Sequence, residues 1–454
     1  MCLNRYMTRD INDNNCLAIE DFLAATVPMS TEEPTTLTIL CRKLSGHPLP
    51  TDEKEHHSFL TPMLVQTSCH SSDALQQLTN YFTEQTRGNR NKPQTEHLRR
   101  HWGYVLLNLS RVSLQHRWLL VALGPTSYRQ DYWLQRYELS YRLMVDIVSY
   151  LEANDLIVKR KGGKFNSGAT YTRIHPTFAL KQHLWQFYLD AEQPIDEPYI
   201  TINKGTDAAK EVIYNLPDDH PERMQMELIN DFLRGHTWAC KGPVKLTYNK
   251  SIVGGGRLVT PYQSLPDRRI RLRIRTLIDE QPICEVDYNA NHLRLNLALL
   301  HNQHAGDTPY EDICDIAGFE HSRRTQVKAF VTRALGSGNN TLLQGSEDSR
   351  EKAMRACNST GMSNKVFETI EHATLKRFPK LGLYKGWGLH AQNLEGQILK
   401  DVMLEGIKDD IVCLPVHDAI AVQQQHQQWA KEVMLETWQA HLDGVGTKVK
   451  VDLA

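Results

Sequence analysis

Two aspartates of the chain have surroundings suited to metal-dependent phosphoryl chemistry. Asp287 ends an apolar stretch that predicts a buried strand, and Asp418 lies with His417 between two apolar runs that predict a tight hairpin. A carboxylate at the end of a buried strand is costly unless it is paired or binds a cation. Two such acids on neighbouring strands could hold two Mg²⁺ ions, or Mn²⁺, which activate an attacking hydroxyl and stabilise a departing pyrophosphate. Taken alone, Asp287 is more often a turn or helix-cap aspartate, and the His417-Asp418 pair by itself is a weak signal.

A basic helix lies between the two acids in the sequence. Arg324 and Lys328 are four residues apart in HSRRTQVKAFVTRALGSG, so they project from one face of the predicted helix. A guanidinium fork and an ammonium group on one face can bind a triphosphate. The alternative is a solvated basic face without a ligand.

A helix followed by a basic hairpin is predicted in the first half of the chain. Apolar residues recur every four positions from Leu139 to Leu151, and 156–176 reads as strand, Gly-Gly turn and strand. This order is typical of a winged helix, in which hairpin cations contact nucleic-acid phosphates. Those cations are Lys159, Arg160, Lys161 and Lys164. A hairpin tip that is basic only for solubility is the alternative.

The elements that must position these residues belong to a chain of ordinary composition. It has 454 residues, 52 Lys and Arg against 53 Asp and Glu, and nine cysteines without a C-x-x-C pair. These features disfavour a disordered chain, a disulfide framework and a zinc ribbon. No apolar run is long enough for a membrane span and no secretory signal is visible, so we expect a cytoplasmic protein. The alternating run RRIRLRIR (268–275) predicts a basic strand along a nucleic-acid backbone.

An ordered set of segments resembles the palm and fingers of family A polymerases, the group of bacterial DNA polymerase I, to which the phage-type single-subunit RNA polymerases are related. The segments are GGGRL (254–258), YQSLP (262–266), VDYNANHLR (286–294), the Arg324 and Lys328 pair, and PVHDA (415–419). Two positions depart from the family pattern. Ala419 stands where the family has an acid, and the Tyr-Gly that ends the fingers helix is absent.

The resemblance implies a role for each matched residue. Asp287 and Asp418 would be catalytic and would ligate both metal ions, with the backbone carbonyl of Tyr288 as a further ligand. Arg324, Lys328 and His292 would bind the nucleotide, His292 as the ribose gate. The residues implied in primer and template binding are Arg257, Gln263, Arg294 and His417, to which the hairpin reading adds Lys159, Arg160, Lys161 and Lys164.

The resulting expectation is an α+β chain in three parts. Residues 1–100 form a helical or partner-binding region, 101–200 a winged-helix-like module, and 201–454 a right-hand polymerase domain of thumb, palm and fingers. The function expected is DNA-directed DNA synthesis without a recognisable proofreading exonuclease, on a DNA primer-template and with nucleoside triphosphates. An RNA polymerase or primase on the same scaffold is one alternative. A DNA-binding factor without catalytic activity is the other.

Overall fold

The computed structural model describes residues 49–52, 56–60, 64–65, 71–162, 171–185, 191–192, 198–204, 211–265, 271–338 and 347–454. The chain divides into two compact units, Met1–Pro194 and Ile195–Ala454, and both combine helices with small sheets. The chain is therefore of the α+β class. Within the described residues, no helix has the length and apolar character that a membrane span requires. Of the expected N-terminal region, residues 1–48 lie outside the described part.

The first unit is built around a four-stranded sheet, beside which two short strands form a separate pair. Its described helices are α1 (Ser71–Thr86), α2 (Lys92–Gln115), α3 (Ser127–Gln130), α4 (Tyr132–Arg136), α5 (Tyr141–Ala153) and α6 (Phe178–Leu184). Its described strands are β1 (His57–Phe59), β2 (Leu64–Val65), β3 (Trp118–Val121), β4 (Ile157–Arg160), β5 (Thr172–Pro176) and β6 (Ala191–Glu192). The main sheet has the order β1-β3-β5-β4, and β4 and β5 form an antiparallel hairpin.

Local sequence accounts for the helices of this unit. Asn91 caps the start of helix α2: its side chain accepts from the backbone N–H of Gln94 at 3.1 Å, and the Gln94 side chain accepts from the Asn91 N–H. This reciprocal cap satisfies two donors that a helix start otherwise leaves free. Helix α5 buries Ile147 and Leu151, two members of the predicted apolar stripe. The predicted helix and the pairing of the two strands after it are thus confirmed, whereas residues 163–170, which include part of the predicted turn, lie outside the described part.

The second unit has two sheets and a group of helices. Its described helices are α7 (Pro221–Arg234), α8 (Asn291–His301), α9 (Pro309–Ala317), α10 (Arg324–Gly336), α11 (Glu347–Asn358), α12 (Asn364–Arg377), α13 (Gly388–Lys408) and α14 (Gln427–His441). Its described strands are β7 (Ile200–Asn203), β8 (Val212–Tyr214), β9 (Lys245–Asn249), β10 (Ser251–Val259), β11 (Leu277–Ile278), β12 (Gln281–Tyr288), β13 (Leu414–Val416), β14 (Ala419–Gln423) and β15 (Val449–Leu453).

Strand β12 is the centre of the sheet that carries both aspartates. One sheet has the order β10-β9-β7-β8, and the other has the order β11-β12-β14-β13, with β15 paired to β12 as well. Both β14 and β15 run antiparallel to β12. Strands β13 and β14 form the predicted hairpin, with His417 and Asp418 between them. His417 adopts a φ of 58°, the left-handed conformation that this tight turn requires.

Helix α13 lies unusually close to strand β10. A Cβ at Gly396 of α13 would lie 2.0 Å from the carbonyl oxygen of Gly256 on β10. Gly256 itself has a φ of 80°, which disfavours any side chain there. Two glycines therefore permit this contact between helix and strand, which brings the residues beside them, Glu395 and Arg257, next to each other.

The strand predicted for 268–275 is wrong. Residues 268–270 lie outside the described part, and Arg273–Arg275 is a single 3₁₀ turn. Arg271 binds Asp452 at 2.7 Å, and Arg273 makes a two-point ion pair with Glu285 at 2.6 and 2.9 Å. Acids of the same unit therefore neutralise these two arginines. The alternating arginines serve internal ion pairs, and the segment does not form a strand.

Candidate active site

The central sheet brings the two predicted acids together. Asp287 lies directly opposite Ala419 in the pairing of β12 with β14, and Asp418 is the residue before Ala419. The backbone N–H of Tyr288 donates to the carbonyl oxygen of Asp418 at 3.3 Å. Strand pairing between segments far apart in the sequence therefore makes Asp287 and Asp418 neighbours at one end of the central strands.

Asp418 is held in an unfavourable electrostatic environment. Burial raises the pKa of its carboxyl to about 7, and the negative charges of Asp287 and Glu395 act in the same direction. The nearby His292 opposes this shift and lowers the pKa of Asp418. A bound cation stabilises the charged form of a carboxyl whose pKa is raised by burial and by neighbouring carboxylates.

Glu395 is an acid of this cluster that the sequence patterns did not indicate. It lies in the middle of α13, its side chain is 3% exposed, and Asn291 donates to it at 2.7 Å. His292 Nε2 lies 3.3 Å from one of its oxygens and Arg257 Nη2 lies 3.8 Å from the other. An acidic residue in a long helix gives no local signal of this role, because its burial depends on the packing of α13 against β10 and α8.

The basic helix α10 carries Arg324 and Lys328 on one face, as predicted. Arg324 Nε lies 2.6 Å from Glu311 Oε1, and its guanidinium lies 5.3 Å from the centre of the Tyr310 ring. Lys328 is exposed. Both Arg324 and Asp418 influence the pKa of buried Tyr310, which burial raises strongly. Tyr310 is therefore within electrostatic range of the phosphate-binding candidate and of the acid cluster.

Tyr288 and His417 flank the two acids. The Tyr288 side chain is buried against Trp438, with ring centres 5.0 Å apart, and its hydroxyl donates to the Met434 carbonyl at 2.7 Å. These contacts anchor the end of β12 beneath α14. The His417 side chain is exposed at the turn. The ligand role expected for the Tyr288 carbonyl and the primer contact expected for His417 remain predictions.

The three other residues implied in primer and template binding differ in their accessibility. Arg257 is half-buried beside Glu395. Gln263 lies in the 3₁₀ turn Tyr262–Ser264, and its side-chain oxygen is buried without a hydrogen-bond partner among the described residues. Arg294 is 2% exposed and donates from Nε to the Asn289 carbonyl at 2.8 Å. Arg294 thus faces backbone carbonyls of the loops around α8, a position that does not present it to a nucleic acid.

The hairpin cations of the first unit are partly engaged by acids. Lys159 forms an ion pair with Glu152, and Arg160 binds Asp52 at 2.9 Å and stacks 5.0 Å from the centre of the Trp118 ring. Lys161 is exposed, and Lys164 lies outside the described residues. A phosphate that binds here therefore competes with internal carboxylates at two of the four predicted positions.

The acid cluster fits a magnesium site only in part. Among the residues that the structure describes, no three His, Cys, Asp or Glu side chains are grouped so that together they could hold a metal ion. Mg²⁺ is commonly held by one or two carboxylates together with substrate phosphates and water, so Asp287 and Asp418 suffice as protein ligands. Asn291 supports a polar occupant, because its Oδ1 is buried without a hydrogen-bond partner in the described part of the chain.

Comparison with known proteins does not indicate a function, so the functional interpretation rests on the geometry of the site. Neither a scan of protein-family models nor a search of curated proteins finds a match to the chain.

Proposed function

We propose that the second unit catalyses template-directed nucleotidyl transfer with two Mg²⁺ ions, and that it is a DNA-directed DNA polymerase. The observation that carries the proposal is the convergence of Asp287, Asp418 and Glu395 from three distant segments, with the pKa of Asp418 raised to about 7 by burial and by the other two acids. Among the described residues Asp418 has no ion-pair partner, and buried carboxylates whose charges raise one another's pKa are typical of metal-dependent sites.

The proposed reaction assigns a task to each side chain. Asp287 and Asp418 would hold Mg²⁺, or Mn²⁺ in its place. When bound, these ions lower the pKa of the attacking 3′-hydroxyl and offset the charge of the leaving pyrophosphate. Arg324 and Lys328 would bind the triphosphate from α10, which requires Arg324 to exchange Glu311 for phosphate. Such an exchange of partners would couple nucleotide binding to a movement of the Arg324 side chain.

The choice of deoxynucleotides rests on His292. Its imidazole is half-buried beside Glu395, on the helix that follows Asp287. A side chain of this size next to the sugar would exclude a 2′-hydroxyl by steric overlap. The contact with Glu395 fixes the imidazole, and a fixed group discriminates better than a mobile one.

The order of helices and strands in the first unit supports the proposal that this unit binds nucleic acid. Helix α2, strand β3, helices α3 to α5 and the hairpin β4-β5 follow one another as in a winged helix, and the second hairpin strand lies between β3 and β4 in the sheet. We infer that Lys161, with Lys164, contacts phosphate from the hairpin. Lys159 and Arg160 contribute only when phosphate displaces their carboxylate partners.

Primer extension with the full-length protein tests the proposed function. Deoxynucleotides and ribonucleotides are offered separately on DNA and RNA templates, with Mg²⁺ or Mn²⁺. The proposal predicts extension of a DNA primer on a DNA template by dNTPs. Preferential use of NTPs would favour an RNA polymerase, and DNA binding without extension under any condition would contradict the catalytic proposal.

A further inference from the structure

A lysine on the last strand lies against one of the two proposed metal ligands. In the antiparallel pairing of β12 with β15, Lys450 is directly opposite Asp287. Its Nζ lies 3.0 Å from Asp287 Oδ2. Directly opposed residues in a sheet have Cβ atoms only about 5 Å apart, so the backbone pairing itself keeps the ammonium group within reach of the carboxylate.

The two proposed ligands therefore differ in their surroundings. Lys450 neutralises Asp287, whereas the described residues form no ion pair with Asp418, which faces other acids instead. The basic side chains near Glu395, those of Arg257 and His292, are directed to that buried acid. Among the described residues, Lys450 is thus the cation that contacts a proposed metal ligand directly.

We propose that Lys450 is the resident counter-cation of the carboxylate site and must leave Asp287 before a divalent ion binds there. The inference rests on the proposed function, because it takes Asp287 as a metal ligand. An oxygen that accepts from an ammonium group offers less electron density to Mg²⁺, and the positive charge repels the arriving ion. The Lys450 side chain is 63% exposed and carries a flexible stem, so it can swing into solvent without disturbing the strand.

The exposure of Lys450 also limits how strongly it can compete with a divalent ion for Asp287. Exposed ion pairs contribute little, because water screens them and two long side chains lose freedom in forming them. Competition by Lys450 should therefore lower the affinity for a divalent ion by a modest factor, about threefold to fivefold.

Binding of Mn²⁺ alone, measured by electron paramagnetic resonance on the full-length protein, tests the inference without reference to activity. The variants are Lys450→Met, which removes the charge, and Lys450→Arg, which retains it. Lys448→Met is the matched control, since Lys448 is two residues away and binds Asp307 at 2.8 Å, outside the acid cluster. We expect Lys450→Met to bind Mn²⁺ at least about threefold more tightly, with the other two variants within about twofold of the unaltered protein.

Two outcomes would overturn the inference and separate it from the proposed function. Unchanged or weaker Mn²⁺ binding by Lys450→Met would exclude competition by Lys450, while the carboxylate site could still bind metal. Mn²⁺ affinity that survives in Asp287→Asn would instead show that Asp287 is not a ligand, and the proposed function would fail together with the inference.

Discussion

Asp418 contributes to activity and to stability in opposite directions. Burial of its carboxyl, together with the charges of Asp287 and Glu395, raises its pKa from 3.8 to about 7. The site is therefore stable with a proton on Asp418, whereas the proposed chemistry needs the carboxylate. A bound Mg²⁺ replaces that proton as the positive charge, so metal binding should release a proton near neutral pH.

The sign of the pH dependence follows from this raised pKa. Between about pH 4 and pH 7 the folded protein retains a proton on Asp418 that the unfolded chain has lost, so the contribution of Asp418 to stability falls as the pH rises. Asp418→Asn removes this penalty, and we expect the variant to be more stable at pH 8 by roughly 1 to 2 kcal/mol and nearly equal at pH 4.

Urea unfolding of both proteins in metal-free buffer at several pH values measures this difference. Asp231→Asn is a suitable control, because Asp231 is an exposed partner of Arg234 on α7. An Asp418→Asn variant that is less stable than the unaltered protein at pH 8 would contradict the raised pKa.

Sugar selection is a second property that belongs to a single residue. We expect His292→Gly to raise NTP incorporation relative to dNTP by about tenfold, or ~1.4 kcal/mol of transition-state binding, because it removes the bulk beside C2′. His292→Gln keeps similar bulk and should change the ratio little. The measurement is kcat/KM for matched dNTP and NTP pairs in competition. Loss of stability with an unaltered sugar ratio would assign His292 a structural role beside Glu395.

Features that depend on local sequence patterns can be predicted from the sequence, whereas features that depend on long-range packing cannot. The turn at Asp418 was predictable, because the apolar runs on both sides of it define the hairpin. Glu395 and Lys450 were not, since one depends on α13 packing against β10 and the other on β15 pairing with β12. The alternation of arginine with apolar residues in 268–275 wrongly predicted a strand. The same alternation also occurs where Arg271 and Arg273 form ion pairs with acids of neighbouring strands.

At the level of elements, the approach of α13 to β10 controls the position of Glu395. A Cβ at Gly396 would lie 2.0 Å from the Gly256 carbonyl oxygen, which forces the helix away from the strand. We expect Gly396→Ala to destabilise the protein by about 2 kcal/mol or more and to lower nucleotide incorporation through displacement of Glu395.

Thermal unfolding provides the comparison, with Gly103→Ala as the control. Gly103 lies inside α2, and a Cβ there meets no atom within 4 Å. That change should be neutral or should stabilise the protein by about 0.5 to 1 kcal/mol, since alanine favours a helix. Equal stability of the Gly396→Ala variant and the unaltered protein would show that the helix tolerates a larger separation.

At the level of the whole molecule, the near-zero net charge hides an uneven distribution of basic residues. Residues 86–118 carry seven Lys or Arg against one Glu, yet Arg90 binds Asp146 and other members of this run meet acids as well. Overall charge therefore says little about affinity for a polyanion. The proposed contacts with DNA therefore depend on the cations that remain available at the hairpin and on α10.

The hairpin prediction is tested by the salt dependence of DNA binding. Replacement of Lys159, Arg160, Lys161 and Lys164 by Ser should weaken binding similarly for unrelated sequences, and should reduce the slope of log K against log salt by up to about 4. Lys161→Ser alone should reduce it by about 1, since this residue is exposed. An unchanged slope in the fourfold variant would make the hairpin a solubilising tip.

The most direct test of the central claim is the initial rate of dNTP incorporation by Asp287→Asn and Asp418→Asn, with DNA affinity measured on the same preparations. Asp231→Asn is again the control. If the two acids hold the metal ions, either change should lower the rate by at least about a thousandfold while DNA affinity stays within about twofold, because binding depends on cations rather than on these acids. An Asp418→Asn variant that incorporates nucleotides at the normal rate would contradict the account.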